Sequence, residues 1–229
     1  MNLLILAGPN GSGKSTIIER LKHGEYFPEI YINPDEAVKG SDFSSIANIE
    51  ERYIAAMQYC EVLRKNAIEY GLSLAFETVL SHPEKLTFLH ESRQKGYMVE
   101  SVYVTTRDPR INIERVAERH SKGGHDVPRD KIVSRYYKSM YNMLGLFEAS
   151  NTMTIYDNSD SRPLALLYKY GTRIYLLNRE YRGNLLDEYL FPHITNREQY
   201  QWFDLTYAET ISLIENYRQV SAGLQYFDE

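Results

Sequence analysis

The sequence is poor in several features that would each have directed its reading. It carries one cysteine, Cys60, in 229 residues, so no intrachain disulfide can form, which fits a reducing, cytoplasmic setting. It has no apolar run near the roughly 20 residues that span a bilayer, which excludes membrane insertion. The opening stretch, Met1-Asn2-Leu3-Leu4-Ile5-Leu6-Ala7, lacks a basic n-region and runs into glycines where a leader would have its cleavage site. It reads as a buried strand. No internal repeat, low-complexity segment or Pro/Gly-rich linker is present, so one domain over residues 1–229 is the simplest organisation. An excess of positive charge is missing as well. The formal net charge of −5 excludes a general electrostatic binder of nucleic acid.

What is there suffices for a sizeable core, since 43% of the residues are hydrophobic. Short apolar runs at Leu3 to Ala7, Ile30 to Ile32, Leu72 to Phe76, Tyr97 to Val104 and Thr152 to Tyr156 alternate with segments of helical period. That alternation predicts right-handed βαβ crossovers and a mostly parallel sheet covered on both faces, an α/β fold. Between Ser45 and Tyr70 the residues Ile49, Tyr53, Ala56, Cys60, Leu63 and Ala67 recur every three or four positions, which predicts a helix with Cys60 on its buried stripe. Residues 160–229 are less regular and read as an extension of the same domain. A hairpin around Tyr170-Gly171-Thr172 and a closing helix from Ala208 to Val220 are expected there.

The strong signal is Gly8-Pro9-Asn10-Gly11-Ser12-Gly13-Lys14-Ser15-Thr16, a G-x-x-x-x-G-K-[ST] phosphate loop between an apolar strand and a helix start. Its backbone N–H groups and the helix dipole favour phosphate oxygens. Lys14 is expected to reach the β- and γ-phosphates of ATP, and the Ser15 hydroxyl to ligate Mg²⁺. Transporter-type ATPases need an L-S-G-G-Q-like signature, and GTPases an N-K-x-D guanine reader; neither occurs here. What remains is a compact nucleotide-dependent kinase, which must supply a base and a basic lid.

Two acids suit the carboxyl edge of the sheet, Asp35 after Asn33-Pro34 and Glu77 at the end of the run Leu74-Ala75-Phe76, followed by Thr78. Asp35 could alternatively cap a following helix. For the lid, the segment from Arg107 to Lys138 holds nine basic and five acidic residues, a local +4 that leaves −9 for the rest of the chain. Arg115 and Arg119 stand four apart on one helical face, and Arg135, Ser139 and Asn142 share the polar side of the next helix. That second helix turns Ile132, Tyr136, Met140, Met143 and Phe147 toward the core. Between the helices, Ser121 to Pro128 forms a glycine-rich turn suited to hinge motion, and His125 in it could orient substrate or bond the turn backbone.

These residues resemble the zeta toxin family of P-loop kinases. The resemblance is carried by GPNGSGKST at Gly8 to Thr16, INPDEA at Ile32 to Ala37, FETVLS at Phe76 to Ser81, RVAERHSKGGHDVP at Arg115 to Pro128 and RYYKSMYN at Arg135 to Asn142. It covers about Met1 to Ser159. It implies a P-loop kinase-like three-layer α/β/α fold with a helical lid, ATP and Mg²⁺ as cofactors, and transfer of phosphate to the hydroxyl of a small molecule. For the best-known members it implies a UDP-N-acetyl sugar as acceptor and a small antitoxin that blocks the ATP site. Asp35 then takes the place of the general base and Glu77 that of the acceptor-orienting acid. Arg119 and Arg135 take that of the lid arginines. Asn33, Thr78, Arg115 and His125 fall on the acceptor side. Two other readings remain open on the residues: an ATP-binding regulatory module without phosphotransfer, and a polynucleotide kinase.

Overall fold

The computed structural model describes residues 1–24, 27–122, 127–217 and 223. Strand β1 (Asn2–Ala7) is followed by α1 (Lys14–Leu21), β2 (Ile30–Ile32), α2 (Pro34–Ala37), α3 (Ile49–Glu69), β3 (Leu74–Thr78), α4 (Glu84–Gln94), β4 (Met98–Thr105), α5 (Pro109–Ser121), α6 (Arg129–Ala149) and β5 (Thr152–Asp157). The later part holds β6 (Leu164–Tyr170), β7 (Arg173–Leu176), α7 (Leu185–Tyr189), β8 (Gln201–Asp204) and α8 (Tyr207–Tyr217), with short 3-10 turns between them. The sheet order is β2-β3-β1-β4-β5-β6-β7-β8, and only β6 runs against the others.

Alternation along β1 shows why its sequence is apolar throughout. Leu3, Ile5 and Ala7 join one core with residues of α3, α4, α6 and α7; Leu4 and Leu6 join the other with residues of α1 and α8. A strand buried on both faces cannot alternate with polar residues. Three layers result. The chain leaves β1, travels out to β2, and returns through β3 to β4 on the far side of β1, so the loop after β1 opens at a topological switch point.

Helix α6 buries Ile132, Tyr136, Met140, Met143 and Phe147, as their spacing predicts, and truncating Phe147 to alanine costs about 3–5 kcal/mol on the usual scale. Its Tyr136 hydroxyl donates to Thr106 O (2.6 Å), which fixes the helix to the end of β4. Ser139 departs from its expected place on the polar side: it is fully buried, and its hydroxyl pairs with that of Tyr103 (3.0 Å). Cys60 is buried, and burial pushes its thiol up. Ile49, the first residue of the expected stripe and of α3, is instead 62% exposed.

The irregular C-terminal region extends the sheet. The hairpin between β6 and β7 is present, with Gly171 at φ 58° in its turn. β8, a four-residue strand not foreseen from the pattern, pairs parallel to β7. No helix among the described residues is long and apolar enough to cross a membrane.

Candidate active site

The loop between β1 and α1 wraps around its own lysine. Lys14 is 6% exposed, and its ammonium donates to Gly8 O (2.8 Å) and Pro9 O (3.0 Å) while lying 3.8 Å from Glu77 Oε1. Burial lowers the Lys14 pKa; Glu77 opposes this, Arg119 adds to it and Asp35 opposes it. Lys14, Glu77, Arg119 and Asp35 therefore lie within one electrostatic neighbourhood, although they come from α1, β3, α5 and α2. Among the described residues, the amides of Gly11, Gly13, Lys14 and Ser15 donate to no backbone carbonyl. Four open donors at the start of α1, with its dipole, make a receptor for an anion. Ser15 and Thr16 are exposed in the first helical turn.

On the acid side, local chemistry sets the geometry. Pro34 starts α2, and Asn33 caps it, its Oδ1 accepting from Asp35 N (2.8 Å). The capping alternative for Asp35 is thus corrected: Asn33 does that work, and Asp35 follows it with an exposed carboxylate. Asn33 Nδ2 donates to the Tyr31 hydroxyl (2.8 Å) and, at 3.5 Å, to Glu77 Oε2; the Tyr31 hydroxyl also lies 3.5 Å from that oxygen. Burial, and next the Glu77 carboxylate, push the Tyr31 phenol far above its ordinary range. Tyr53 on α3 is half-buried. Burial and then Asp35 raise its phenol, while Arg119 pulls it down. Neither tyrosine is among the site residues expected from the sequence, where Tyr53 enters only as part of the apolar stripe of α3. For Tyr31 a signal existed: strand alternation puts it on the face of Asn33, and the pairing of β2 with β3 puts that face beside Glu77.

Thr78 ends β3 half-buried. Its carbonyl receives Gly8 N (3.2 Å), and its Oγ1 accepts from Leu80 N (3.1 Å), so it braces the phosphate loop and the following turn. Leu80 has φ 57°, and Asn142 of α6 donates to its carbonyl (2.9 Å).

The basic residues divide. Arg135 is half-buried and places Nη1 3.5 Å from Asn10 Oδ1, against the phosphate loop itself. Arg119 is exposed and near enough to Lys14 and Tyr53 to perturb both. Arg115, four residues earlier, is half-buried and donates to Asn158 O (2.7 Å) and Ser159 O (3.4 Å). It fastens α5 to the turn after β5. His125 lies outside the described residues.

A sequence model of the zeta toxin family, described as "Zeta toxin", matches residues 2–166. Among solved structures, the chain is similar to one from work on the PezAT chromosomal toxin-antitoxin system of Streptococcus pneumoniae, with 19% identity, TM-score 0.53 and 71% of each chain covered. It is similar to the AvrRxo1-ORF1:AvrRxo1-ORF2 complex with sulphate ions, with 16% identity, TM-score 0.61, and 99% of this chain and 76% of that one covered. The same complex with ATP aligns at 16% identity and TM-score 0.61 over 85% of this chain and 64% of that one. These likenesses are of fold. No curated protein matches the chain.

Proposed function

The chain belongs to the zeta toxin family, and we propose from its site that it transfers the γ-phosphoryl group of ATP to a hydroxyl of a small molecule. The observation that carries this reading is the convergence of Lys14, Asp35, Glu77 and Arg119 around one phosphate loop. The open amides fit a polyphosphate. In the reaction, the Asp35 carboxylate accepts the proton of the acceptor hydroxyl, whose oxygen forms the new P–O bond as the bond to the β-phosphate breaks and ADP departs. Glu77, steadied by Tyr31 and Asn33, orients the acceptor. Lys14 leaves its resting carbonyls for the phosphates, and Arg119 and Arg135 offset the charge that builds up on the moving group.

The exposed Ser15 hydroxyl fits Mg²⁺ as a hard oxygen ligand. The described residues contain no group of three or more His, Cys, Asp or Glu that could hold a metal by itself, so the remaining ligands would come from the nucleotide and water. When bound, Mg²⁺ neutralises charge on the β- and γ-phosphates.

For the acceptor, family membership supports a UDP-N-acetyl sugar; family membership and the PezAT likeness support the role of a toxin paired with an antitoxin. We place residues 160–229 in the same domain, since β6, β7 and β8 continue the sheet of β1. Incubating the pure protein with ATP, Mg²⁺ and a panel of sugar nucleotides, then seeking a mass gain of one phosphate, tests the reading. One phosphorylated acceptor is the expected result. ATP binding without transfer to any acceptor overturns it and favours a binding module.

A further inference from the structure

Two asparagines from distant segments of the chain hold carbonyls of the phosphate loop. Asn112, fully buried on α5, donates from Nδ2 to Asn10 O (2.6 Å), and its Oδ1 accepts from the Thr106 hydroxyl. Asn158, in the turn after β5, donates from Nδ2 to Ser12 O (2.8 Å). Asn158 is itself fixed at both backbone atoms: its N–H donates to Thr105 O (2.8 Å) and its carbonyl receives Arg115 Nη1 (2.7 Å).

In a trans peptide the carbonyl of one residue and the amide of the next point in opposite directions. Drawing Asn10 O out to Asn112 therefore turns the Gly11 N–H the other way, and drawing Ser12 O out to Asn158 does the same for Gly13. These are two of the amides that donate to no backbone carbonyl among the described residues. The glycines carry a second, independent mark of the same arrangement. Gly11 has φ 77°, and a Cβ there would lie 2.5 Å from Asn112 O; Gly13 has φ 93°, and its Cβ would lie 2.1 Å from Asn158 Nδ2. The loop needs glycine where the asparagines press against it.

We propose that Asn112 and Asn158 are positioning residues that preset the phosphate-binding amides of Gly11 and Gly13 before nucleotide arrives. Each acts through one peptide plane of the loop. Two loosely held peptide planes would otherwise have to be ordered on binding, which weakens affinity without removing a ligand contact. The proposal rests on the nucleotide-binding part of the reading above, and not on phosphoryl transfer.

The test uses the full chain with Asn112→Ala and, separately, Asn158→Ala, whose turn lies nearer the surface and which serves if the first variant fails to fold. ADP affinity is measured by calorimetry, and the Gly11 and Gly13 amides are followed by NMR on glycine-labelled protein. The expected result is an ADP affinity about 10-fold or more weaker in each folded variant, the loss of one to two buried hydrogen bonds' worth of order. The Gly11 amide should shift in the first variant and the Gly13 amide in the second, already without ADP. ADP affinity within about 2-fold of the parent, with both amides unmoved, overturns the proposal. A parent protein that binds ADP but phosphorylates nothing ends the kinase reading and leaves this test intact.

Discussion

Lys14 Nζ lies 3.8 Å from Glu77 Oε1, so the buried lysine of the phosphate loop is ion-paired with a half-buried glutamate at the end of β3. Burial drives the Lys14 pKa down, and the Glu77 carboxylate is the largest influence holding it up. Glu77→Gln removes that support. The ammonium form, present below the lysine pKa, is then lost at lower pH, so the alkaline limb of the pH profile of kcat/KM for ATP should move toward acid. An unmoved limb in a folded Glu77→Gln protein would show that the two charges are not coupled.

Asp35 presents an exposed carboxylate because Asn33, and not Asp35, caps α2. Asp35→Asn keeps the shape and removes the carboxylate proposed as the base. The expected outcome is a fall in kcat of about 10²–10⁴-fold with ATP affinity and melting temperature close to the parent. Turnover at the parent rate would remove Asp35 from the base role.

Arg119 and Arg115 sit one helical turn apart on α5 and should behave differently. Arg119→Ala removes an exposed charge near Lys14 and Tyr53 and is expected to cost about 10³-fold or more in kcat with little change in stability. Arg115→Ala breaks the charged hydrogen bonds to Asn158 O and Ser159 O, and is expected to lower stability by about 1–3 kcal/mol with a smaller effect on kcat. Thermal melts beside steady-state rates separate the two. Equal kinetic losses at unchanged melting temperature would put Arg115 in the cleft with Arg119.

The parts of this site that sequence made legible are those written in consecutive residues. The phosphate loop reads directly from Gly8 to Thr16, and β1 before it is apolar because both its faces are buried. The break after β2 is visible in Asn33-Pro34. What it could not show is which of two neighbouring capping residues, Asn33 or Asp35, would bond the helix start. Contacts between distant segments were also hidden. Asn112 reaches a loop residue 102 positions away, and Asn158 one 146 positions away. Neither belongs to any local pattern. Strand β8 leaves no mark in the sequence, since its four residues are mostly exposed and carry no alternation of useful length. Ser139 reads as polar-face from sequence because a small hydroxyl on a helix looks polar until the Tyr103 hydroxyl that satisfies it is known.

Lys169 supplies a pH-dependent contribution to stability that is independent of the cleft. It lies on β6, 4% exposed, and its ammonium donates to Ser150 O (2.8 Å) and to Phe147 O at the end of α6, over the Phe147 ring. Burial, and next the nearby Arg93, lower its pKa to about 8, with Glu148 opposing them. In the unfolded chain the group titrates near its ordinary value of 10.5. Between these values the unfolded chain binds a proton that the folded one has shed, so this residue's contribution to stability rises with pH across the window. From about pH 7.5 to about pH 9.5 the gain is about 2 kcal/mol by that linkage. Lys169→Met lacks it and leaves the α6 carbonyls without their donor. Urea midpoints of the parent and of Lys169→Met, taken at both pH values, should therefore diverge in the parent's favour as pH rises, with the buried tyrosines cancelling between the two proteins. A constant difference would mean that Lys169 stays fully charged in the folded state throughout.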